Sequence, residues 1–155
     1  MNKKILKSIL VLAGITFVGC SSTKINFNLN ALEKSRVLEN ANGYLNAKPE
    51  TVTASFCSRS AGTHHDFYSE GDYWWPDSQN PDGPYVRKDG LTNPANFNNH
   101  REALIRFSKI SGALASAYIL TKDQQYADKL ALHLQAWFIN ENTKMNPNLL
   151  YAQAI

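Results

Sequence analysis

The feature that most constrains the fold is a pair of amphipathic stretches joined by a very short link. From about Asn99 to Leu120, the residues Ala103, Leu104, Phe107, Ile110, Leu114, Ala117 and Tyr118 recur at spacings of three and four. That period puts them on one stripe of a helix, and Asn98 or Asn99 can cap its start. After Thr121-Lys122-Asp123 the period resumes, with Tyr126, Ala127, Leu130, Leu134, Trp137 and Phe138 on the apolar face. Helices so closely linked must fold back on each other, so the pattern predicts an antiparallel hairpin. A further helix is predicted from about Asn30, as cap, to about Leu45, with Leu32, Val37, Leu38, Ala41, Tyr44 and Leu45 facing inward. Lys48-Pro49 ends it. Asn140 to Pro147 reads as a polar break, after which Asn148 can cap a last helix. The fold class is therefore all-α, built of helical hairpins, as in an α/α barrel or a solenoid. No repeat of fixed period is present, which disfavours a tetratricopeptide array.

Between the first helix and the hairpin the pattern changes. From Thr51 to Phe97, aromatic residues mix with Gly, Pro, Asp and Asn, and no period of 2 or 3.6 is sustained. Loops of this length in a compact domain usually bind something or are disordered, and the aromatic content argues against disorder. His64, His65, Phe67, Tyr68, Tyr73, Trp74 and Trp75 lie close together in it. Flat rings stack on the apolar faces of sugars while neighbouring Asp, Asn and Arg side chains bond hydroxyls. Arg87, Lys88 or Arg101 could pair with acidic groups. The structural alternative is that Trp74 and Trp75 bury as a satellite core, stiffened by Pro76, Pro81 and Pro84. His64-His65-Asp66 makes a poor metal site, because adjacent residues rarely point at one ion and no spaced partner presents itself. No metal or other cofactor is expected.

The N-terminus reads as an export signal. Lys3, Lys4 and Lys7 precede an uncharged apolar stretch from Ile9 through Val18, shorter than the about 20 residues a membrane-spanning helix needs. Phe17-Val18-Gly19-Cys20 resembles a bacterial lipobox, with Phe17 in place of the usual leucine, so residues 1–20 are expected to be a lipoprotein signal and Cys20 the lipidation site. Residues 21–29 then form a linker and 30–155 the domain, periplasmic and tethered to a membrane through Cys20. The formal net charge of +3 equals the three signal lysines, so the remainder is formally neutral and no nucleic-acid partner is expected. With Cys20 lipidated, Cys57 has no disulfide partner; beside Phe56 it reads as a small buried residue rather than a reactive thiol. The chain stops at Tyr151-Ala152-Gln153-Ala154-Ile155 in helix-forming character without a cap, which reads as a C-terminal truncation of the domain.

Tyr73-Trp74-Trp75-Pro76-Asp77, Pro81-Asp82-Gly83-Pro84-Tyr85-Val86-Arg87, Asp89-Gly90 and Asn93-Pro94 closely resemble a run in the alginate-lyase family of polysaccharide lyases. Downstream, Tyr126-Ala127, Trp137-Phe138, Met145-Asn146-Pro147-Asn148-Leu149 and Tyr151-Ala152-Gln153-Ala154 look like the same family's next landmarks, so the resemblance covers roughly Thr51 to Ile155. It implies the N-terminal part of an α/α barrel, or toroid, with a long aromatic lid loop, cleaving a uronic-acid polysaccharide by β-elimination. Tyr73, Trp74, Trp75, Arg87, Asn93, His64 and His65 are the candidate substrate contacts. In that family an Asn-Asn-His motif on a later helix, with a downstream Tyr, supplies base and neutraliser. Asn98-Asn99-His100 matches its letters, making His100 the candidate base within this chain. It departs from the pattern: Arg101-Glu102 follows where small and aromatic residues belong, and the motif comes directly after the Asn-Pro landmark. The resemblance therefore places the catalytic base and acid beyond Ile155. Two other classes compete: a non-catalytic saccharide-binding lipoprotein that keeps the loop, and a helical protein-interaction module using the hairpin, which leaves the loop unexplained.

Overall fold

The computed structural model describes residues 28–81 and 83–152. The expected signal, Cys20 and most of the linker lie outside them, as do Asp82 and residues 153–155. Among the described residues there are three helices, α1 (Leu29–Asn42), α2 (Asn99–Thr121) and α3 (Gln124–Phe138). A 3-10 turn spans Val52–Ala54, and β1 (Trp74–Trp75) pairs antiparallel with β2 (Val86–Arg87).

Helix α1 starts earlier and stops sooner than its periodicity suggests. Asn28, not Asn30, is the cap: its side chain accepts from the Ala31 backbone N–H at 3.1 Å, satisfying one of the first-turn donors. Gly43, the poorest helix former short of proline, then hands the chain to a series of turns through Asn46. The hairpin agrees closely with expectation. Helix α2 ends where Lys122 adopts the left-handed conformation (φ 60°), its N–H donating to Tyr118 O at 2.8 Å. Asp123 then caps α3, accepting from the Gln125 N–H at 3.1 Å. Asn98 precedes α2 without a side-chain capping bond.

Two cores hold the elements together. In the first, Ala41 of α1 meets Ile110, Ala113, Leu114 and Ala117 of α2 and Tyr126 of α3. The alanines let the helices approach closely, and each fully buried Ile or Leu contributes roughly 1.5–3 kcal/mol. The Tyr126 hydroxyl donates to Asn42 Oδ1 at 2.8 Å, tying α3 to the end of α1. In the second core, Val52 and Phe67 of the loop pack on Ala103 and Trp137, with Leu104, Phe107 and Met145 around them. Helix α2 is long and apolar enough to cross a membrane by length and composition. Its apolar stripe is instead the spine of both cores.

Among the described residues no helix starts at Asn148. Residues 149–152 make a turn and a bend, and Asn148 Oδ1 accepts from the Leu150 N–H at 3.2 Å. The segment 144–148 is drawn against the long loop, to which Lys144 O and the side chains of Asn146 and Asn148 all bond.

Candidate functional site

The loop from Thr51 to Phe97 is ordered by a buried carboxylate that carries no sequence signature. Glu70 is 1% exposed. Arg59 grips it with two bonds, Nε to Oε1 at 2.6 Å and Nη2 to Oε2 at 2.7 Å. The hydroxyls of Tyr85 (2.6 Å) and Tyr68 (3.0 Å) also donate to Oε1, and the Phe97 backbone N–H donates to Oε2 at 2.7 Å. Burial alone would raise the Glu70 pKa, but the bonds from Arg59, Tyr85, Phe97 and Tyr68 override it and hold the carboxyl at about 2. Burial, followed by hydrogen bonding, pushes both Tyr68 and Tyr85 up. Glu70 is thus a permanently charged hub, joining strands of loop that are far apart in sequence.

A second buried carboxylate staples the loop to the C-terminal segment. Asp66 Oδ2 accepts from the Thr63 N–H and hydroxyl, both at 2.8 Å, and Oδ1 from Asn146 Nδ2 at 2.8 Å and Asn148 Nδ2 at 3.4 Å. The Asn146 bond, then the Thr63 backbone, lower its pKa to about 2 despite burial. Next to it, the Asn146 N–H donates to His65 O at 2.8 Å. His65 Nδ1 lies 2.7 Å from Lys144 O and, facing a carbonyl, must carry the proton. That bond fixes the orientation of the ring. Ser69 closes the staple by donating its hydroxyl to Ala152 O, and the Tyr151 ring packs so near Gly62 that a Cβ there would lie 2.7 Å from it.

The aromatic part of the loop is a small hairpin. Trp74 pairs with Arg87 and Trp75 with Val86, and both indoles are half-buried. Asn93, 5% exposed, staples the hairpin: its N–H donates to Asp72 O at 2.9 Å, Nδ2 donates to Trp74 O at 3.2 Å, and Oδ1 accepts from the Ala95 N–H at 3.0 Å. Trp75 Nε1 donates to Leu91 O at 3.3 Å, and the Lys88 ammonium sits 4.5 Å from the centre of the Trp75 ring. A cleft of about 560 Å³ opens beside the hairpin, lined by Ser58, Arg59, Pro76, Pro81, Gly83 and Tyr85. A smaller pocket of about 210 Å³, lined by Trp75 and Lys88 among others, shares Pro76 with it.

The residues expected to contact substrate divide into two groups. Tyr73, Trp74, Trp75 and Arg87 come together on the hairpin, with Tyr73 exposed and Arg87 paired to Asp89 at 2.6 Å in an exposed ion pair. His64 stacks on Phe56 at 4.3 Å at the surface. Asn93 is an internal staple whose amide is already engaged. His100 is likewise committed: 1% exposed, it accepts the Tyr68 N–H on Nδ1 at 3.0 Å and donates from Nε2 to Ser55 O at 3.0 Å. Neither nitrogen is left to take a substrate proton, and Phe97 and Phe67 enclose the ring. Cys57 is buried. Among the described residues no three His, Cys, Asp or Glu side chains converge as a metal site. Arg59, Glu70 and Tyr85 were not among the contacts expected from sequence, and their hydrogen bonds span up to 36 positions.

Residues 51–155 match the family model described as alginate lyase. The chain is also similar to a crystal structure of an alginate lyase from Bacteroides ovatus, with 39% identity and a TM-score of 0.67. The similarity covers 81% of this chain but 33% of the other, so the chain spans about a third of that protein's length. No curated protein matches the sequence.

Proposed function

The chain belongs to the alginate lyase family, and on that premise we propose that the protein cleaves a uronic-acid polysaccharide by β-elimination, with the aromatic loop holding the polymer. The observation that carries this reading is the extent of the family match, residues 51–155, which takes in the whole loop and the hairpin beneath it. The reaction removes the weakly acidic proton on C5 beside the uronate carboxylate and expels the oxygen on C4. The carboxylate must be neutralised while a base takes the proton and an acid protonates the departing oxygen. The loop is suited to the binding part of that task. Tyr73 and the half-buried rings of Trp74 and Trp75 offer apolar surface to a sugar, His64 and His65 offer imidazole contacts, and Arg87 stands exposed beside them.

His100 acts as a positioning residue, fixing the loop to the start of α2; the base and acid are other groups, carried on helices of an α/α barrel of which α1 to α3 are part. Residues 1–20 act as the export signal and Cys20 carries a lipid that tethers the protein on the periplasmic side. Intact-mass analysis of the membrane-extracted protein tests that point: Cys20→Ala should abolish the acyl mass.

Activity is tested by mixing the full-length protein with alginate, polymannuronate, polyguluronate and glucuronan and following the ultraviolet absorbance of the unsaturated uronate end. Product on at least one polymer is expected. Saccharide binding without product on any of the four would sink the lyase and leave a saccharide-binding lipoprotein.

A further inference from the structure

A uronan-binding surface must contain something that tells a uronate from a neutral sugar, and the cations of this loop are not equally free to do it. Among the described residues, Arg59 is taken by buried Glu70, while Arg87 and Arg101 sit in exposed pairs with Asp89 and Asp72 and neither lines the pocket beside Trp75. The Arg59–Glu70 pair is internally neutral, so the larger cleft beside it offers hydroxyl-bonding groups and ring surface but little net charge. Lys88 is in no salt bridge among the described residues. Its ammonium is held over the Trp75 ring at 4.5 Å, and the side chain remains exposed.

Both members of that pair are held in place. Trp75 is fixed by its indole bond to Leu91 O, and the Lys88 backbone N–H donates to Tyr73 O at 2.8 Å. A cation over an aromatic face keeps its full charge, so a carboxylate arriving there meets an ammonium with no partner to displace. The pocket beside the pair, about 210 Å³, is below the ~300 Å³ at which drug-sized sites begin, a size for one sugar unit of a passing chain. Ser78 and Gln79 line it and offer hydroxyl and amide groups. Asp77, whose Oδ1 accepts from the Gln79 N–H at 2.9 Å, adds an acceptor for sugar hydroxyls.

We propose that this pocket is a uronate subsite in which Lys88, rather than Arg87, reads the carboxylate from its place over one face of Trp75, and the sugar ring packs beside it against the edge of the indole. The proposal rests on the lyase reading above and names the residue that sets its charge specificity.

The test is calorimetric titration of the full-length protein with a mannuronate oligosaccharide and with the same oligosaccharide after its carboxyls are reduced to alcohols. Lys88→Met keeps the apolar stem over Trp75 and removes the charge. It should weaken binding of the uronate form about tenfold, the scale of one charge-assisted contact, and leave the reduced form unchanged. Lys88→Arg should restore most of the loss, and Trp75→Leu should weaken both forms. An unchanged affinity of Lys88→Met for the uronate form, or an equal loss on both forms, overturns the assignment. If the wild-type protein binds neither form, the subsite falls as well. The lyase reading is then judged separately by whether unsaturated product forms.

Discussion

At the scale of single residues, Glu70 does most to order the loop. It is charged, inaccessible and bonded to Arg59, Tyr68, Tyr85 and the Phe97 backbone, so removing its charge loosens Arg59 and leaves hydroxyls competing for a neutral amide. Glu70→Gln should lower unfolding free energy by about 1–3 kcal/mol, the scale of weakened bonds to a charged acceptor, since Arg59 is 42% exposed and water can take it up, and urea titration reads this directly. The pH dependence follows from sign. Glu70 and Asp66 are both held at about 2, below their ordinary values of 4.5 and 3.8, so as pH falls the unfolded chain takes up protons first. The stability these groups contribute is fully present above about pH 4.5 and drains away between there and about pH 2. Urea midpoints measured at stepped pH should show that fall, and Glu70→Gln should flatten it; an unchanged slope would mean the hub is not charged as described. None of this was legible in the sequence. Glu70 stands between Ser69 and Gly71 without a periodic or spaced partner, and its bonds are set by how the loop closes. The candidates read from residue type fared unevenly for the same reason: Trp75 and Arg87 reached the surface hairpin, while Asn93 and His100 were drawn inside by backbone groups needing partners.

At the scale of elements, the helices were legible because their information is local. Periodicity gave α2 and α3 almost to the residue, and the short link gave their antiparallel packing. What periodicity could not give was which stripe meets which neighbour. His133 lies on the core side of α3 at 1% exposure, whereas Leu134 and Phe138, counted as inward, are exposed. The face of α3 is rotated because Trp137, fully buried, anchors it against Phe107 at 5.2 Å. The link itself makes a prediction. Lys122 holds a left-handed backbone that costs a side-chain-bearing residue roughly 1–2 kcal/mol and glycine almost nothing. Lys122→Gly should therefore raise stability by about 1 kcal/mol, even after losing the contact of the ammonium with Tyr118 at 5.5 Å. Asp123→Ala, which deletes the cap of α3, should lower it by about 1 kcal/mol. Thermal melts of the two variants should move in opposite directions.

At the scale of the whole molecule, the balance between covered and uncovered apolar surface decides behaviour. Both cores lie along α2, while Phe138, Ile139, Leu149 and Leu150 are exposed near the end of α3 and in the segment after it, Leu150 to 80%. Single apolar residues at a surface are ordinary, but four large ones on two short stretches of chain give apolar surface that a second molecule can cover. Sequence alone shows that such residues are apolar and not what covers them, which is why the arrangement beyond α3 could not be read from periodicity. The 155-residue chain, which spans about a third of the Bacteroides ovatus protein, should accordingly associate with itself when studied as such. Sedimentation velocity should show a weight-average mass that rises with concentration, and the double substitution Ile139→Glu with Leu150→Glu should bring it back towards monomer while leaving the helical circular dichroism unchanged. Both sites are on the outside, so the charges meet water rather than a packed interior, and the fold has no reason to resist them. If the unmodified chain sediments as a monomer at every concentration, the face is too weakly apolar to act as a contact surface. If the double variant loses its helices, these side chains support the hairpin itself.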